Sequence, residues 1–184
     1  MKSALVPLAD GTEEMEATII IDVLRRAGWE VVAAGVTGTT IDASRGVRLL
    51  ADDDWHAVDL SGFDVLVIPG GAAGTENLSG NESVLETIRC FVESDRLVGA
   101  ICAGTLVLQA AGVIAGKRVT CHPGVAGQLT DTDRVEERVV IDGKLITSQG
   151  PGTAMEFALA IIAALDGQEA ANNVGVGLIL PEGG

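Results

Sequence analysis

Cys102 is the residue whose sequence surroundings most favour chemistry. It follows the short apolar run Leu97–Ile101, which has the length of a buried parallel strand, and precedes Ala103, Gly104 and a helical pattern. A tight strand-to-helix turn of this kind resembles a nucleophile elbow, which presents a reactive side chain at the carboxyl end of a sheet. The first free helix amides would face the sulfur there and favour its thiolate. Cys102 is therefore the candidate nucleophile, and the alternative is an inert buried cysteine.

Glu16 is the candidate acid partner of that sulfur. It lies one turn into a predicted helix that begins near Glu13, whereas Glu13 and Glu14 are expected to face water at the helix N-terminus. If Glu16 points into a crevice, burial would raise its pKa. A carboxylic acid that keeps its proton could then donate a hydrogen bond to a thiolate.

Two glycines and a histidine complete the candidate site. Gly70 and Gly71 end a buried strand, so their amides could approach a ligand and, with the amide of Ala103, form an oxyanion hole. The alternative for this pair is an ordinary tight turn. His122 could act as a general acid or base if the fold brings it to Cys102.

The remaining histidine and cysteines carry weaker signals. We expect His56 at the surface, Cys90 to pack in a helix and Cys121 to line the rim of the site. Three cysteines without CxxC spacing favour neither a disulfide framework nor a zinc site. The sequence also lacks GxGxxG after a strand, GxxxxGK[ST] and GxSxG, so nucleotide binding and Ser/His/Asp hydrolysis have no support.

The elements that must position these residues alternate between strand and helix. Strands are predicted at residues 2–8, 29–35, 64–69, 97–101 and 117–120, with a hairpin from 137–141 and 145–148 and irregular structure or a small hairpin over 37–54. Helices are predicted from residue 12 or 13 to 27, at 83–92, after Cys102 and at 153–165, with a possible helical turn at 124–129. Thr153 and Glu156 would form a capping box, and Gly167 would stop the last helix. Such alternation indicates an open, mostly parallel α/β sheet with helices on both faces, whose ligands bind beyond the carboxyl ends of the strands.

Composition limits the classes of function. We read the 184 residues as one domain, with a flexible tail at 172–184. A net charge of -14 would repel nucleic acid, and no apolar run reaches the length of a membrane span. We therefore expect a cytoplasmic protein that binds neither nucleic acid nor membranes. The excess of 26 carboxylates over 12 basic residues fits either a halophilic source or an acidic mesophilic protein.

Several motifs in order resemble the DJ-1/ThiJ/PfpI superfamily, closest to its DJ-1 and YajL-like branch. They are LADGTEEMEATIIIDVLRRAGWEV, DVLVIPGG, AICAGT, VTCHP, SQGPGT and MEFALAIIAAL, and they extend over residues 5–167. The resemblance implies a flavodoxin-like sandwich of the class I glutamine amidotransferase type. It also implies a homodimer and no metal or organic cofactor.

The resemblance also implies roles for individual residues. Cys102 is the nucleophile, Glu16 the protonated acid and His122 the neighbouring imidazole, while Gly71 and Ala103 supply the oxyanion amides. Gly150 and Pro151 lie in a loop near the site, Arg45 matches an arginine that reaches the site from the dimer partner, and Arg26 matches a basic residue near that interface. Protease and amidotransferase relatives carry His directly after the nucleophile, where this chain has Ala103.

The leading hypothesis is a cysteine-dependent, glutathione-independent glyoxalase or deglycase. It would act on α-oxoaldehydes such as methylglyoxal, or on their adducts, and protect against carbonyl and oxidative stress. One alternative is a redox sensor or redox-regulated chaperone that uses an oxidisable Cys102, and another is a small-molecule hydrolase or hydratase. A protease is disfavoured because Ala103 replaces the histidine that a Cys-His dyad would need.

Overall fold

A computed structural model describes residues 1–180 of the chain. Its strands are β1 (Ser3–Leu8), β2 (Glu30–Gly35), β3 (Thr40–Asp42), β4 (Arg48–Leu50), β5 (Asp53–Asp54), β6 (Val65–Ile68), β7 (Leu97–Ile101), β8 (Arg118–Val119), β9 (Asp133–Arg134), β10 (Val139–Asp142) and β11 (Leu145–Ser148). Its helices are α1 (Glu14–Arg26), α2 (Ala72–Ser79), α3 (Glu82–Glu93), α4 (Thr105–Ala110), α5 (Ala154–Asp166) and α6 (Gln168–Gly177). Short 3-10 turns cover Cys102–Gly104, Pro123–Gln128 and Pro151–Thr153.

The central sheet has seven strands in the order β10-β11-β7-β6-β1-β2-β5. Every neighbouring pair in it is parallel except the β10/β11 hairpin. This is the mostly parallel, helix-flanked sheet of the flavodoxin-like, glutamine amidotransferase-like class, so the predicted fold class is confirmed. None of the helices within residues 1–180 is long and apolar enough to cross a bilayer.

Helices cover both faces of the sheet, and successive side chains of each strand point to opposite faces, so both sets are buried. In β1, Val6 and Leu8 join a core with helices α1, α5 and α6, whereas Leu5 joins a second core with α3 and α4. The strands therefore need apolar residues at nearly every position, which explains why they read as continuous hydrophobic runs in the sequence.

Four parallel strands bring the candidate residues to one edge of the sheet. Strands β1, β6, β7 and β11 are neighbours that run in the same direction, so the segments after their carboxyl ends lie close together. Those segments carry the start of α1, the Gly70-Gly71 pair, Cys102 and Gly150. The edge is the one at which open α/β sheets bind ligands.

The element predictions were correct for most strands and helices and wrong at particular places. Helix α2 was not predicted, because AAGTENLS lacks a clear apolar periodicity. The predicted capping box is wrong: Thr153 Oγ1 contacts Ser148 Oγ and the backbone of Gly150, while Glu156 binds Arg138. Gly167, in contrast, ends α5 with a positive φ of 90°, as predicted.

The segment predicted to be a flexible tail begins inside a helix. Residues 172–177 form the last part of α6, which packs on α5 and buries Ala171 and Val174. The tail prediction did not recognise these small apolar residues as a helix face. Residues 181–184 of the predicted tail lie outside the described part of the chain.

Candidate active site

Cys102 occupies a strained turn between β7 and α4. Its φ is +62°, a left-handed conformation that residues other than glycine adopt uncommonly. The 3-10 turn that it begins leads directly into α4, and its side chain is partly exposed. A Cβ atom on Gly104 would lie 2.8 Å from the carbonyl oxygens of Ile68 and Pro69, so a small residue is needed there to pack the turn against the end of β6. The turn presents its cysteine as a nucleophile elbow does.

Glu16 lies in the first turn of α1 and is fully buried. Its Oε2 accepts a hydrogen bond of 2.7 Å from the amide of Gly70, and its own amide donates to Glu13 Oε2. Its Oε1 is buried without a well-formed hydrogen bond. A Cβ atom on Gly70 would lie 2.6 Å from Glu16 Oε2 and 2.7 Å from the Cβ of Cys102. The glycine therefore lets the carboxyl group and the cysteine approach each other.

The two acidic groups affect each other's ionisation. Burial raises the pKa of Glu16 to about 7, although the neighbouring Cys102 thiol and the hydrogen bond from the Gly70 amide act in the opposite direction. Burial, together with the charge of an ionised Glu16, raises the pKa of Cys102 to about 12. The helix-side amides expected to favour the thiolate do lower this pKa, but burial and the Glu16 charge outweigh them. A thiolate at neutral pH therefore requires that Glu16 hold the proton.

Two backbone amides face the sulfur. The amides of Ala103 and Gly71 lie near enough to the Cys102 sulfur to lower its pKa, and an oxyanion hole would need donors at these positions. Gly71 has a φ of +96°, and a side chain there would collide with the carbonyl oxygen of Gly11. The expectation for Gly70 needs correction, because its amide is already bonded to Glu16 and does not face a ligand.

His122 lies beside Cys102 on the segment that follows β8. Its amide donates to the carbonyl oxygen of Cys102 at 3.3 Å, and its side chain is exposed. Its Nδ1 accepts a hydrogen bond of 3.1 Å from the amide of Gly124. A neutral ring that accepts at Nδ1 carries its proton on Nε2, so this nitrogen is a donor.

The site opens into a cleft of about 540 Å³. Its walls comprise Gly11, Glu13, Ala43, Ser44, Arg45, Gly71, Ala72, Ala73, Cys102, Ala103, His122, Val125 and Pro151. Gly150 lies behind this wall, where a Cβ atom would be 3.3 Å from the His122 ring and 4.0 Å from Glu16 Oε1. The predicted loop residues Gly150 and Pro151 therefore do lie near the sulfur.

The two predicted arginines have different places. Arg45 lies on the wall of its own chain's cleft, although the resemblance implied that this arginine reaches the site from a partner. Arg26 is at the far end of α1, where its Nε pairs with Asp22 at 2.6 Å. The structure of the chain does not bring Arg26 into the site.

Glu14 is the residue near the site that sequence reasoning misplaced. It was expected to face water, yet only 7% of it is exposed, and it accepts hydrogen bonds from Ser44 and from the amide of Arg45. Its predicted position in the first turn of α1 was right, but its partners come from the β3/β4 hairpin, 30 residues away. No local pattern in the sequence indicates that contact.

The other two cysteines and His56 do not line the cleft that contains Cys102. Cys121 is fully buried and does not line the rim, and Cys90 is exposed, where a packed side chain was expected. His56 is exposed as predicted. Within residues 1–180, no group of three His, Cys, Asp or Glu side chains is arranged to bind a metal.

Comparison with known proteins covers nearly the whole chain. A model of the DJ-1/PfpI family matches residues 2–164. The chain is 43% identical to protein dj-1beta of Drosophila melanogaster, with 97% of each chain covered. It is 40% identical to the glutathione-independent glyoxalase DJR-1.2 of Caenorhabditis elegans, with 94% of each covered. It spans less than half the length of the DJ-1 homologs A and B of Arabidopsis thaliana, to which it is 40% and 45% identical.

The solved structures agree with the sequence relatives. The crystal structure of Drosophila DJ-1beta superimposes with a TM-score of 0.95 at 44% identity, with 98% of each chain covered. The structure of oxidized Toxoplasma gondii DJ-1 gives a TM-score of 0.93 at 37% identity, with 97% of this chain and 98% of that chain covered. The chain belongs to the DJ-1/PfpI family.

Proposed function

We propose that the protein is a cysteine-dependent, glutathione-independent glyoxalase that converts small α-oxoaldehydes such as methylglyoxal to 2-hydroxy acids. The observation that supports this most directly is the buried carboxyl of Glu16 beside the Cys102 sulfur, with two amides facing that sulfur. The relative from Caenorhabditis elegans that is named a glutathione-independent glyoxalase supports the same reaction. Attack on early glycation adducts of proteins would use the same chemistry and be called deglycation.

The first step is addition of the Cys102 thiolate to the aldehyde carbon. A carbon-sulfur bond forms, and the carbonyl electron pair moves to oxygen to give a hemithioacetal alkoxide. The amides of Gly71 and Ala103 would stabilise that alkoxide, since they are the backbone donors near enough to the sulfur to lower its pKa. Glu16 then gives it a proton and becomes a carboxylate.

The second step moves a proton from the aldehyde carbon to the neighbouring carbon. The Glu16 carboxylate removes the proton from the first carbon and returns it to the second. Nε2 of His122 donates its proton to the second oxygen and takes back the hydroxyl proton of the first oxygen, which becomes the thioester carbonyl. The product is a thioester of a 2-hydroxy acid, which water hydrolyses to regenerate Cys102. For methylglyoxal the balance is one water consumed, and one lactate and one proton formed.

Replacement of the nucleophile tests the proposal. Cys102→Ser should lower lactate formation from methylglyoxal by roughly 1,000-fold or more, because a hydroxyl beside a buried acid is a far weaker nucleophile. The measurement is lactate formed by the purified protein without glutathione. Cys90→Ser removes an exposed thiol far from the cleft and should leave the rate unchanged. Lactate formation by Cys102→Ser at the rate of the unmodified protein would rule out the mechanism.

The pH dependence of Cys102 alkylation tests the shared proton. When the pH is below the Glu16 pKa of about 7, both Glu16 and Cys102 are protonated. When the pH is above it, the pair has lost one proton, and a constant fraction of the molecules carries the thiolate beside protonated Glu16. The alkylation rate should therefore rise with a midpoint near pH 7 and level off about one pH unit higher. In Glu16→Gln the carboxyl is gone, and the rise should move up by more than about one pH unit. An unchanged profile in Glu16→Gln would show that Glu16 does not control the sulfur.

A second candidate function is redox sensing through Cys102. The relative from Toxoplasma gondii whose structure is described as oxidized favours it, as does a partly exposed sulfur beside a buried acid. Oxidation to a sulfinate would consume two peroxide molecules and release two waters. Glu16 in its protonated form could donate a hydrogen bond to the sulfinate.

Mild peroxide treatment distinguishes the two candidates. If Cys102 senses peroxide, mass spectrometry should show two added oxygens on Cys102 before any on Cys90, although Cys90 is the more exposed thiol. Selective oxidation in a protein without methylglyoxal turnover would favour the sensor. Preferential oxidation of Cys90 would remove the sensor hypothesis.

We also propose that the chain forms a homodimer through helices α1, α5 and α6. Apolar side chains that line a cleft of about 860 Å³ on this face include Met15, Ile19, Met155, Leu159 and Val176. Val176 is 79% and Met15 55% exposed in the single chain, and together with the other lining side chains they form a contiguous apolar surface of the kind that marks an interaction site. A second copy of the chain would cover this surface.

A charged substitution tests the dimer. Val176→Glu should shift the mass measured by light scattering from dimer toward monomer, because a carboxylate would be buried at the interface. Val92→Glu places the same change on α3, at the opposite face of the sheet, and should leave the mass unchanged. A monomeric unmodified protein, or a Val176→Glu protein that remains dimeric, would contradict the proposed interface.

A further inference from the structure

Arg45 lines the same cleft as the reactive sulfur and belongs to no ion pair within residues 1–180. Within residues 1–180, nine of the 12 basic residues pair with carboxylates: Lys2, Arg25, Arg26, Arg48, Arg89, Lys117, Arg118, Arg134 and Arg138. Arg96 donates to two backbone carbonyls and stacks on Phe91. Lys144, between β10 and β11, belongs to none of the ion pairs of the described residues and does not line the cleft. Arg45 is exposed and lines the cleft that contains Cys102, yet none of the ion pairs of the described residues includes it. In a chain with 26 carboxylates, an arginine without a partner at this position is available to a ligand.

Glu14 holds the backbone of Arg45 in place. Its carboxylate accepts hydrogen bonds from the amide of Arg45 at 2.8 and 3.1 Å and from Ser44 Oγ at 2.9 Å. The amide of Ser44 donates in turn to the carbonyl oxygen of Thr12 at 2.9 Å. Burial alone would raise the pKa of Glu14, but hydrogen bonds from its own backbone, Ser44, Arg45 and Val47 together lower it, so the group is a carboxylate. The hydrogen bonds to Glu14 therefore hold the backbone of Arg45 and leave its guanidinium free.

Among the described residues that line the cleft, Arg45 is the cation that can pair with an anionic ligand. Glu13 also lines the cleft, and its carboxylate accepts a hydrogen bond from the amide of Glu16 at the start of α1. Glu16 is buried behind the wall. A guanidinium presents donors in a fork that matches a carboxylate, and such charge-assisted pairs are stronger than neutral hydrogen bonds.

We propose that Arg45, positioned by Glu14, binds a carboxylate at the end of the substrate remote from its aldehyde, so that the enzyme prefers anionic 2-oxoaldehydes to methylglyoxal. This inference rests on the proposed glyoxalase function. Glu14 is a positioning residue, since it acts through Arg45 and touches no substrate. A suitable substrate is 4,5-dioxopentanoate. Its aldehyde is oxidised and its ketone reduced with the addition of one water, which gives 2-hydroxyglutarate and one proton.

The first test compares two substrates that share the reacting dicarbonyl group and differ in the carboxylate. In Arg45→Gln, kcat/KM for 4,5-dioxopentanoate should fall by about tenfold or more through KM, while kcat/KM for methylglyoxal should stay within about twofold. Glu14→Gln should act in the same direction with a smaller effect. Arg48→Gln removes an equal charge from a residue paired with Asp42 and should change neither value.

The second test requires no turnover. Iodoacetate and iodoacetamide alkylate thiolates by the same displacement and differ in charge, so the ratio of their rates at Cys102 cancels changes in the amount of thiolate. The ratio should fall severalfold in Arg45→Gln and Glu14→Gln and stay constant in Arg48→Gln. If Glu14→Gln does not fold, Ser44→Ala removes one hydrogen bond from the same carboxylate and should lower the ratio in part.

The outcomes separate the two proposals. A protein that turns over neither dicarbonyl but loses its preference for iodoacetate in Arg45→Gln would overturn the glyoxalase function and keep the anion site. A protein that turns over methylglyoxal with an unchanged alkylation ratio in Arg45→Gln would overturn the anion site alone. If the ratio of the iodoacetate and iodoacetamide rates fell in Arg45→Gln but stayed unchanged in both Glu14→Gln and Ser44→Ala, Arg45 would not depend on Glu14 for its position.

Discussion

A single proton shared between Glu16 and Cys102 is the constraint on which the site depends. The carboxyl group is fully buried, and burial disfavours the charged form of any acid. Two negative charges at this distance are more costly still, which is why an ionised Glu16 helps to raise the pKa of Cys102 to about 12. The pair therefore carries no more than one negative charge at neutral pH. Whether that charge lies on oxygen or on sulfur decides whether the cysteine is inert or nucleophilic.

The close approach of these groups requires residues without side chains around them. Gly70 separates Glu16 from Cys102, Gly71 turns its amide toward the sulfur, and Gly104 packs against the end of β6. Each glycine lies at the carboxyl end of a buried parallel strand or just after it. The rigid sheet therefore sets the positions of the groups, and the glycines permit their contact. In this arrangement the sulfur can carry the negative charge only while Glu16 holds the proton.

The cleft wall differs from the rest of the described surface in how its basic residue is paired. Most basic residues of this acidic chain are paired with carboxylates within residues 1–180, and these exposed pairs contribute little to stability individually. Arg45 is an exception, and it lies on the cleft wall. A cation in this position offsets the carboxylates nearby and can attract an anion to the sulfur. Glu14, in the first turn of α1, accepts a hydrogen bond from the amide of Arg45 and so joins the wall of the Cys102 cleft to that helix. The next residue, Met15, lies on the proposed dimer face.

Local patterns in the amino-acid sequence determined the fold class, the strands that end at the site and the identity of Cys102, Glu16 and His122 as the groups to examine. These features depend on neighbours along the chain: apolar runs, a tight turn after β7 and the 3.6-residue period of α1. The tertiary structure alone decided which groups meet. It assigned the Gly70 amide to Glu16, buried Glu14 against the β3/β4 hairpin, gave Thr153 partners other than Glu156, and set the direction of the Cys102 pKa. Each of these four features depends on contacts between segments that are distant in the chain, and on the exclusion of water by those contacts. A local sequence pattern encodes neither the contacts nor the exclusion of water.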